Sequence, residues 1–359
     1  MDHTSEARMS QLSEDKTYEE KKTELSQQEE ELMKKNFQKD NLSQEDHKNR
    51  EKSQLNVESS SGGKKLDSFK TILTKSTSHW LKGEQDPIKL ILEMLKECEK
   101  DYETSPYLSE FREGKALTLI YISNLLEGTI PKRVSQCQTY ELLQGLMHKG
   151  LEKYELTFWP VDGDEEQLIV NESQMVQHLR AYKYLCSDES LNEPLTVEKV
   201  KKTHLFLLTG AIDEKQEKVL CGAYRTEMAY ANNYQFPHPS CIEKQMARIV
   251  KEFNESNDHF ILRAAKLFYE TLSLHPFING NGRLCRLLFA YALMKSGVPF
   301  PVSLYTNTRP RPQKHYMNAI TRVRDKGDYS FLLQLILYSL FLARRNYENN
   351  CRYILNRKI

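Results

Sequence analysis

Residues 274–297 read LHPFINGNGRLCRLLFAYALMKSG, and this stretch decides how the rest of the chain is read. An apolar helix ends at Leu274, a loop with Pro276, Gly280 and Gly282 follows, and a second apolar helix starts beneath Arg283 and Arg286. That layout makes an anion site. The two glycines let the backbone turn tightly and bring N–H groups against a ligand, while the next helix offers the positive end of its dipole. Arg283 and Arg286, three apart, share a helix face from which planar forks can grip a polyphosphate. His275, at the other edge of the loop, can accept a proton near neutral pH. Together these parts suit nucleotidyl transfer. Cys285 reads as a small residue packing on the inner side of the helix rather than as a reactive thiol.

Working outward, nearly every periodic segment predicts helix: Leu117 to Glu127, Ser173 to Leu185, Val197 to Leu208, Ile242 to Asn254, Phe260 to Leu272, Leu284 to Lys295 and Phe331 to Tyr347. Leu220 to Phe236 breaks the pattern. It is rich in Tyr and small residues, carries no helical stripe and stops at Pro237 and Pro239, which predicts a short hairpin or extended flap. The stretch from Gln144 to Val170, with Trp159, Pro160 and DGDEE, reads as an insertion: a surface loop, or a surface that recognises a target. Residues 66–104 form a helical lead-in. The segment 1–65 is dense in Lys, Glu, Gln and Ser and closes with SSSGGKK, so it buries too little apolar surface to offset chain entropy and is expected to be a disordered tail. Residues 344–359 are expected to form a basic C-terminal helix or tail.

Composition narrows the function. Of the 359 residues 39% are hydrophobic, enough for one ordinary core plus a segment outside it. The 51 Lys and Arg against 50 Asp and Glu leave a net charge of +1, so no overall field draws the chain to nucleic acid or to an anionic membrane. Seven cysteines (98, 137, 186, 221, 241, 285, 351) without CxxC spacing fit neither a disulfide framework nor a zinc site. The expected setting is cytoplasmic, with the nucleus left open.

The segment HPFINGNGRLCR, 275–286, resembles the motif HPFx(D/E)GNGRxxR of the Fic (fido) family at every fixed position but one. GAYRTEMAYANNYQFPHPSCIEKQM, from Gly222 to Met246, resembles that family's flap and its Pro-rich turn, and Gly297, Tyr316, Gly327 and Asp328 fall where its closing helices sit. The likeness runs from about residue 105 to 343. It implies a mainly α fold, a Fic-type helical bundle with a short β-hairpin flap, and a protein adenylyltransferase that moves AMP from ATP to a hydroxyl side chain of a target protein. His275 would be the base. Asn281 and the N–H groups of Gly280 and Gly282 would hold phosphate oxygens, Arg283 the β-phosphate region and Arg286 the γ-phosphate, with Phe277 shaping the loop. Met228, Ala229, Tyr230 and Ala231 would pair with an extended stretch of the target by strand addition.

The resemblance implies Mg²⁺ (or Mn²⁺) as cofactor, and Asn279 is the departure: most family members carry there the acid that binds the ion, whereas Asn279 would ligate through an amide oxygen that brings no net charge, so metal binding is expected to be weak. The resemblance also implies a brake. SNLLEG, Ser123 to Gly128, resembles the inhibitory pattern (S/T)xxxE(G/N), so Glu127 would take the bidentate site on Arg286 that the nucleotide needs. SEFREG, Ser109 to Gly114, fits the same pattern, but Glu113 reads as a surface residue inside a longer helix, whereas Gly128 to Pro131 stop a helix just after Glu127. Removal of AMP, transfer of another phosphate-linked group, and nucleotide binding without transfer remain alternatives at the same site. Self-modification and a homodimer are left open.

Overall fold

The computed structural model describes residues 62–78, 81, 84–103, 105–130, 134–149, 165–209, 220–231, 234–304 and 312–357. Trp159 and Pro160 of the insertion, flap residues Asn232 and Asn233, and the tail up to residue 61 lie outside them. The helices in chain order are α1 (Gly62–Thr74), α2 (Pro87–Cys98), α3 (Leu108–Glu127), α4 (Gln136–Lys149), α5 (Glu165–Leu185), α6 (Asp188–Asn192) and α7 (Val197–Leu208). Then come strands β1 (Tyr230–Ala231) and β2 (Tyr234–Gln235), followed by α8 (Ile242–Glu255), α9 (Phe260–Leu274), α10 (Asn281–Lys295), α11 (Pro312–Lys326) and α12 (Ser330–Arg357). The strands pair antiparallel, with Tyr230 opposite Gln235 and Ala231 opposite Tyr234. The expected mainly α bundle with a short hairpin is what the chain forms. No helix among the described residues is long and apolar enough to cross a membrane.

Local chemistry sets the element ends. Asp86 accepts from Lys89 N–H at 3.0 Å with Pro87 opening α2, and Thr196 accepts from Lys199 N–H at 3.0 Å ahead of α7. Helix α10 is central and buried on all sides: Leu284, Leu287, Leu288, Phe289, Tyr291 and Leu293 are sealed from solvent. It packs most extensively on α9 and also meets α3, α5, α6 and α7. Cys285 is buried there too, and burial pushes its thiol well up, which fits packing and not reactivity.

Several boundaries differ from the sequence reading: α3 starts at Leu108 rather than Leu117, and α4 and α5 run into the two ends of the expected insertion at 144–170. Helix α1 starts at Gly62, inside the expected tail, because Phe69 and Leu73 give it a face to bury. Helix α5 starts at Glu165, eight residues before Ser173, in a stretch whose acidic opening suits the positive end of a helix. Helix α12 runs unbroken through the expected break at 343/344, and Arg344 is buried. Its guanidinium donates to the carbonyls of Lys100 (2.5 Å) and Asp101 (2.8 Å) and to Glu348 (2.8 Å). The lead-in is thereby fastened to the last helix: Gln334 of α12 donates to Leu73 O (2.8 Å) and Ser76 O (2.6 Å) and accepts from Ser78 N–H at 3.0 Å.

Candidate active site

The site is built where α9 ends and α10 begins. His275 closes α9 in the left-handed region (φ 49°, ψ 59°), its N–H bonding back to Thr271 O at 3.1 Å, and Gly280 opens α10 in the same region (φ 74°). No side chain caps α10, so its first-turn N–H groups point into the loop as donors for an anion. Phe277 is wholly buried and stacks on His204 of α7, rings 3.7 Å apart and 7° from parallel. His204 does more than pack. Its Nδ1 accepts from Gly222 N–H at 3.0 Å, so the neutral ring carries its proton on Nε2 and donates to Asn279 O at 2.9 Å. Burial holds its pKa down to about 4, with Arg283 adding to that and the Asn279 carbonyl opposing it.

Asn281 does not present its amide to the cleft as the resemblance implies. Its Oδ1 accepts from Phe277 N–H (3.0 Å) and its Nδ2 donates to Phe277 O (2.7 Å), so both atoms are spent on the loop's own backbone. These bonds shape the loop. Arg283 is 2% exposed, donates from one nitrogen to Gln174 of α5 at 2.7 Å, and keeps a buried Nε–H with no partner among the described residues. A buried unpaired guanidinium donor is costly unless a ligand takes it.

His275 and Arg286 are held from different elements. The His275 ring is half-buried and stacked on Phe236 just past β2, centroids 4.0 Å apart. Burial first and the Arg225 charge second lower its pKa to about 4, against a rise from the Leu272 carbonyl and the Glu127 carboxylate, so the imidazole is neutral at pH 7 and free to take a proton. Arg286 is tied to the end of α3: Nε donates to Ser123 Oγ at 2.6 Å, and Nη2 donates to Ser123 O at 3.1 Å and to Glu127 Oε1 at 2.5 Å. Tyr316 of α11 is buried beside the same guanidinium. Glu127 is the last residue of α3, and Gly128 turns the chain away at φ 70°. Glu113 lies inside α3, half-buried, and is not among the hydrogen-bond partners of Arg286.

Gly282 lies against this pair, since a Cβ there would clash with Glu127 Oε1. Flap residues Met228 and Ala229 are half-buried, while Tyr230, 63% exposed, and Ala231 face solvent. Asn279 is exposed at the tip of the loop, its Oδ1 accepting from Gly280 N–H at 2.7 Å. The loop offers a histidine, two amides and two arginines but no carboxylate, and no group of three His, Cys, Asp or Glu among the described residues could hold an ion. That donor set does not fit a protein-held Mg²⁺, which is usually bound through one or two carboxylates.

Sequence reasoning missed Gln174, Phe236 and Arg225 at this site. The signal for Arg225 was slight: a lone cation in a Tyr-rich stretch just ahead of the flap.

Comparison with known proteins gives a consistent set. Residues 194–293 match the Fic/DOC family. A Fido domain-containing protein of Dictyostelium discoideum is 34% identical over 139 residues, 36% of this chain and 92% of that one. The protein adenylyltransferase Fic of Drosophila yakuba is 27% identical over 151 residues, covering 41% of this chain but only 28% of the relative. Among solved structures, residues 134–508 of Fic-1 from Caenorhabditis elegans superpose with a TM-score of 0.57 at 19% identity, over 80% of this chain and 74% of that one.

Proposed function

Because the chain belongs to the Fic/DOC family, we propose that it is a protein adenylyltransferase that moves AMP from ATP to a hydroxyl of a target protein and is held low by Glu127. Relatives named protein adenylyltransferase support the activity, although the match spans about a quarter of their length. In this reading the neutral His275 accepts the proton of the target hydroxyl, whose oxygen attacks the α-phosphorus as the bond to pyrophosphate breaks. The α10 N–H groups and Arg283 take phosphate oxygens, and Arg286 takes charge on the leaving group once freed. No step is assigned to a metal ion held by this loop.

The observation that carries the reading is the three-way hold of α3 on Arg286, through Ser123 Oγ, Ser123 O and Glu127 Oε1. A carboxylate on that fork competes directly with a phosphate for it. The experiment is transfer of α-labelled ATP to the protein itself and to a cell extract, comparing wild type, Glu127→Gly, and Glu127→Gly with His275→Ala. Label is expected with Glu127→Gly and is expected to vanish in the double variant. The bond from Asn279 Oδ1 to Gly280 N–H, in place of an acid free for a metal, favours a second reading: nucleotide binding without transfer. That reading gains if every form binds ATP yet none is labelled, and if Asn279→Asp then creates labelling.

A further inference from the structure

We propose that Arg225 is a positioning residue that locks His275 in its left-handed conformation and ties it to both ends of the flap. The proposal rests on the reading of His275 as the base.

Arg225 is 3% exposed, and its hydrogen bonds all run to main-chain carbonyls. Its own N–H donates to Pro276 O at 2.9 Å, Nε to His275 O at 2.7 Å and Nη2 to Leu274 O at 3.4 Å. Three consecutive carbonyls around the catalytic histidine therefore end on one residue. The remaining bonds reach the flap: Nη1 donates to Glu227 O at 2.8 Å, ahead of β1, and Nη2 to Pro237 O at 2.5 Å, after β2. Only the rigid planar fork of an arginine spreads donors over so many directions at once.

The clamp matters because His275 is the one non-glycine residue with positive φ among the described residues. Such a conformation costs about 1–2 kcal/mol and persists where the surroundings over-determine it. Phe236 completes the arrangement: its N–H donates to Ala229 O at 3.0 Å across the hairpin while its ring stacks on His275. The base is thus gripped by backbone from Arg225 and by ring from Phe236, and both grips belong to the segment a target strand would dock on. The charged groups acting on His275 are Arg225 and Glu127, with opposite effect.

The test uses the full chain with Glu127→Gly as background, adding Arg225→Met or Arg225→Lys. Arg225→Met is expected to lower kcat roughly 10²-fold, the scale of a small misplacement of a reacting group, with the KM for ATP little changed and the melting temperature lowered because the carbonyls of Glu227, Pro237, Leu274 and His275 lose their side-chain donor. Arg225→Lys is expected to recover part of the loss. A titration of the His275 ring by NMR is expected to move up from about 4 in Arg225→Met. Unchanged kcat with an unmoved titration overturns the proposal. So does a parallel collapse of kcat, ATP affinity and melting temperature without rescue by lysine, which marks a purely structural residue. If the background itself transfers no AMP, the transferase reading fails, and the titration still decides whether Arg225 holds His275.

Discussion

His204 stays neutral because one ring nitrogen must accept from Gly222 N–H while the other donates to Asn279 O, and a second proton would break the first bond inside a buried pocket. Its pKa is near 4 in the folded chain against an ordinary value of 6.5. Between those values the unfolded chain binds the extra proton and the folded chain refuses it. Stability is therefore complete above pH 6.5 and falls as the pH drops toward 4. His178, buried between Asn124 and the two site arginines, and His275 act in the same sense. The expected loss from His204 alone is about 3 kcal/mol by pH 4. Thermal melting should be level from pH 8 to 7 and decline below 6.5, and the decline should be shallower in His204→Gln, whose amide can both accept and donate. At this scale His275 and Arg286 were legible because one motif fixes their spacing, and Glu127 because a second pattern ends on the helix stop at Gly128, whereas the ties of Arg225 and Asn281 run to backbone atoms that every residue carries alike.

Gly128 lets α3 stop just behind Glu127. Its φ of 70° suits glycine, its N–H bonds back to Leu125 O at 3.2 Å, and Thr129 Oγ1 pins the same turn through Asn124 O and Oδ1. Nothing lies within 4 Å of where a Cβ would stand, so a substitution costs backbone strain alone. Gly128→Ala is expected to lower stability by about 1 kcal/mol and to loosen the grip of Glu127 on Arg286. Differential scanning calorimetry should show the first effect, and labelling above wild type but below Glu127→Gly the second; labelling equal to wild type would mean that the helix end does not set the latch. The end of α3 could be read from sequence because Gly128 announces it. The starts of α1 and α5 and the reach of α12 could not, since tertiary burial of residues such as Phe69 and Arg344 overrides a weak local pattern.

Across the whole molecule, α12 ties the lead-in to the bundle through Arg344 and through a buried amide. Gln334 is 1% exposed and serves Leu73 O, Ser76 O and Ser78 N–H together. Gln334→Leu keeps the bulk but strands those three backbone groups, at about 1–3 kcal/mol each where they stay dry. The melting temperature is expected to fall by several degrees and hydrogen exchange in residues 62–74 to quicken, while ATP affinity is unchanged because α12 contributes no group to Arg283 or Arg286. A fall in ATP affinity instead would mean that the lead-in supports the site directly. The bundle itself was visible in the sequence as a run of helical stripes. Which stripe meets which was not, since partners such as Gln334 and Leu73 stand 261 residues apart.

That separation has a consequence during synthesis. A ribosome that has just released α1 and α2 must add some 250 residues before Gln334 and Arg344 emerge, a wait on the order of tens of seconds at ordinary elongation rates. Through that interval Phe69, Leu73, Ile91 and Leu95, all buried in the finished chain, have no finished surface to cover them. The nascent lead-in is therefore where a chaperone that binds short apolar segments finds its longest opportunity, and the arrival of α12 is the event that ends it.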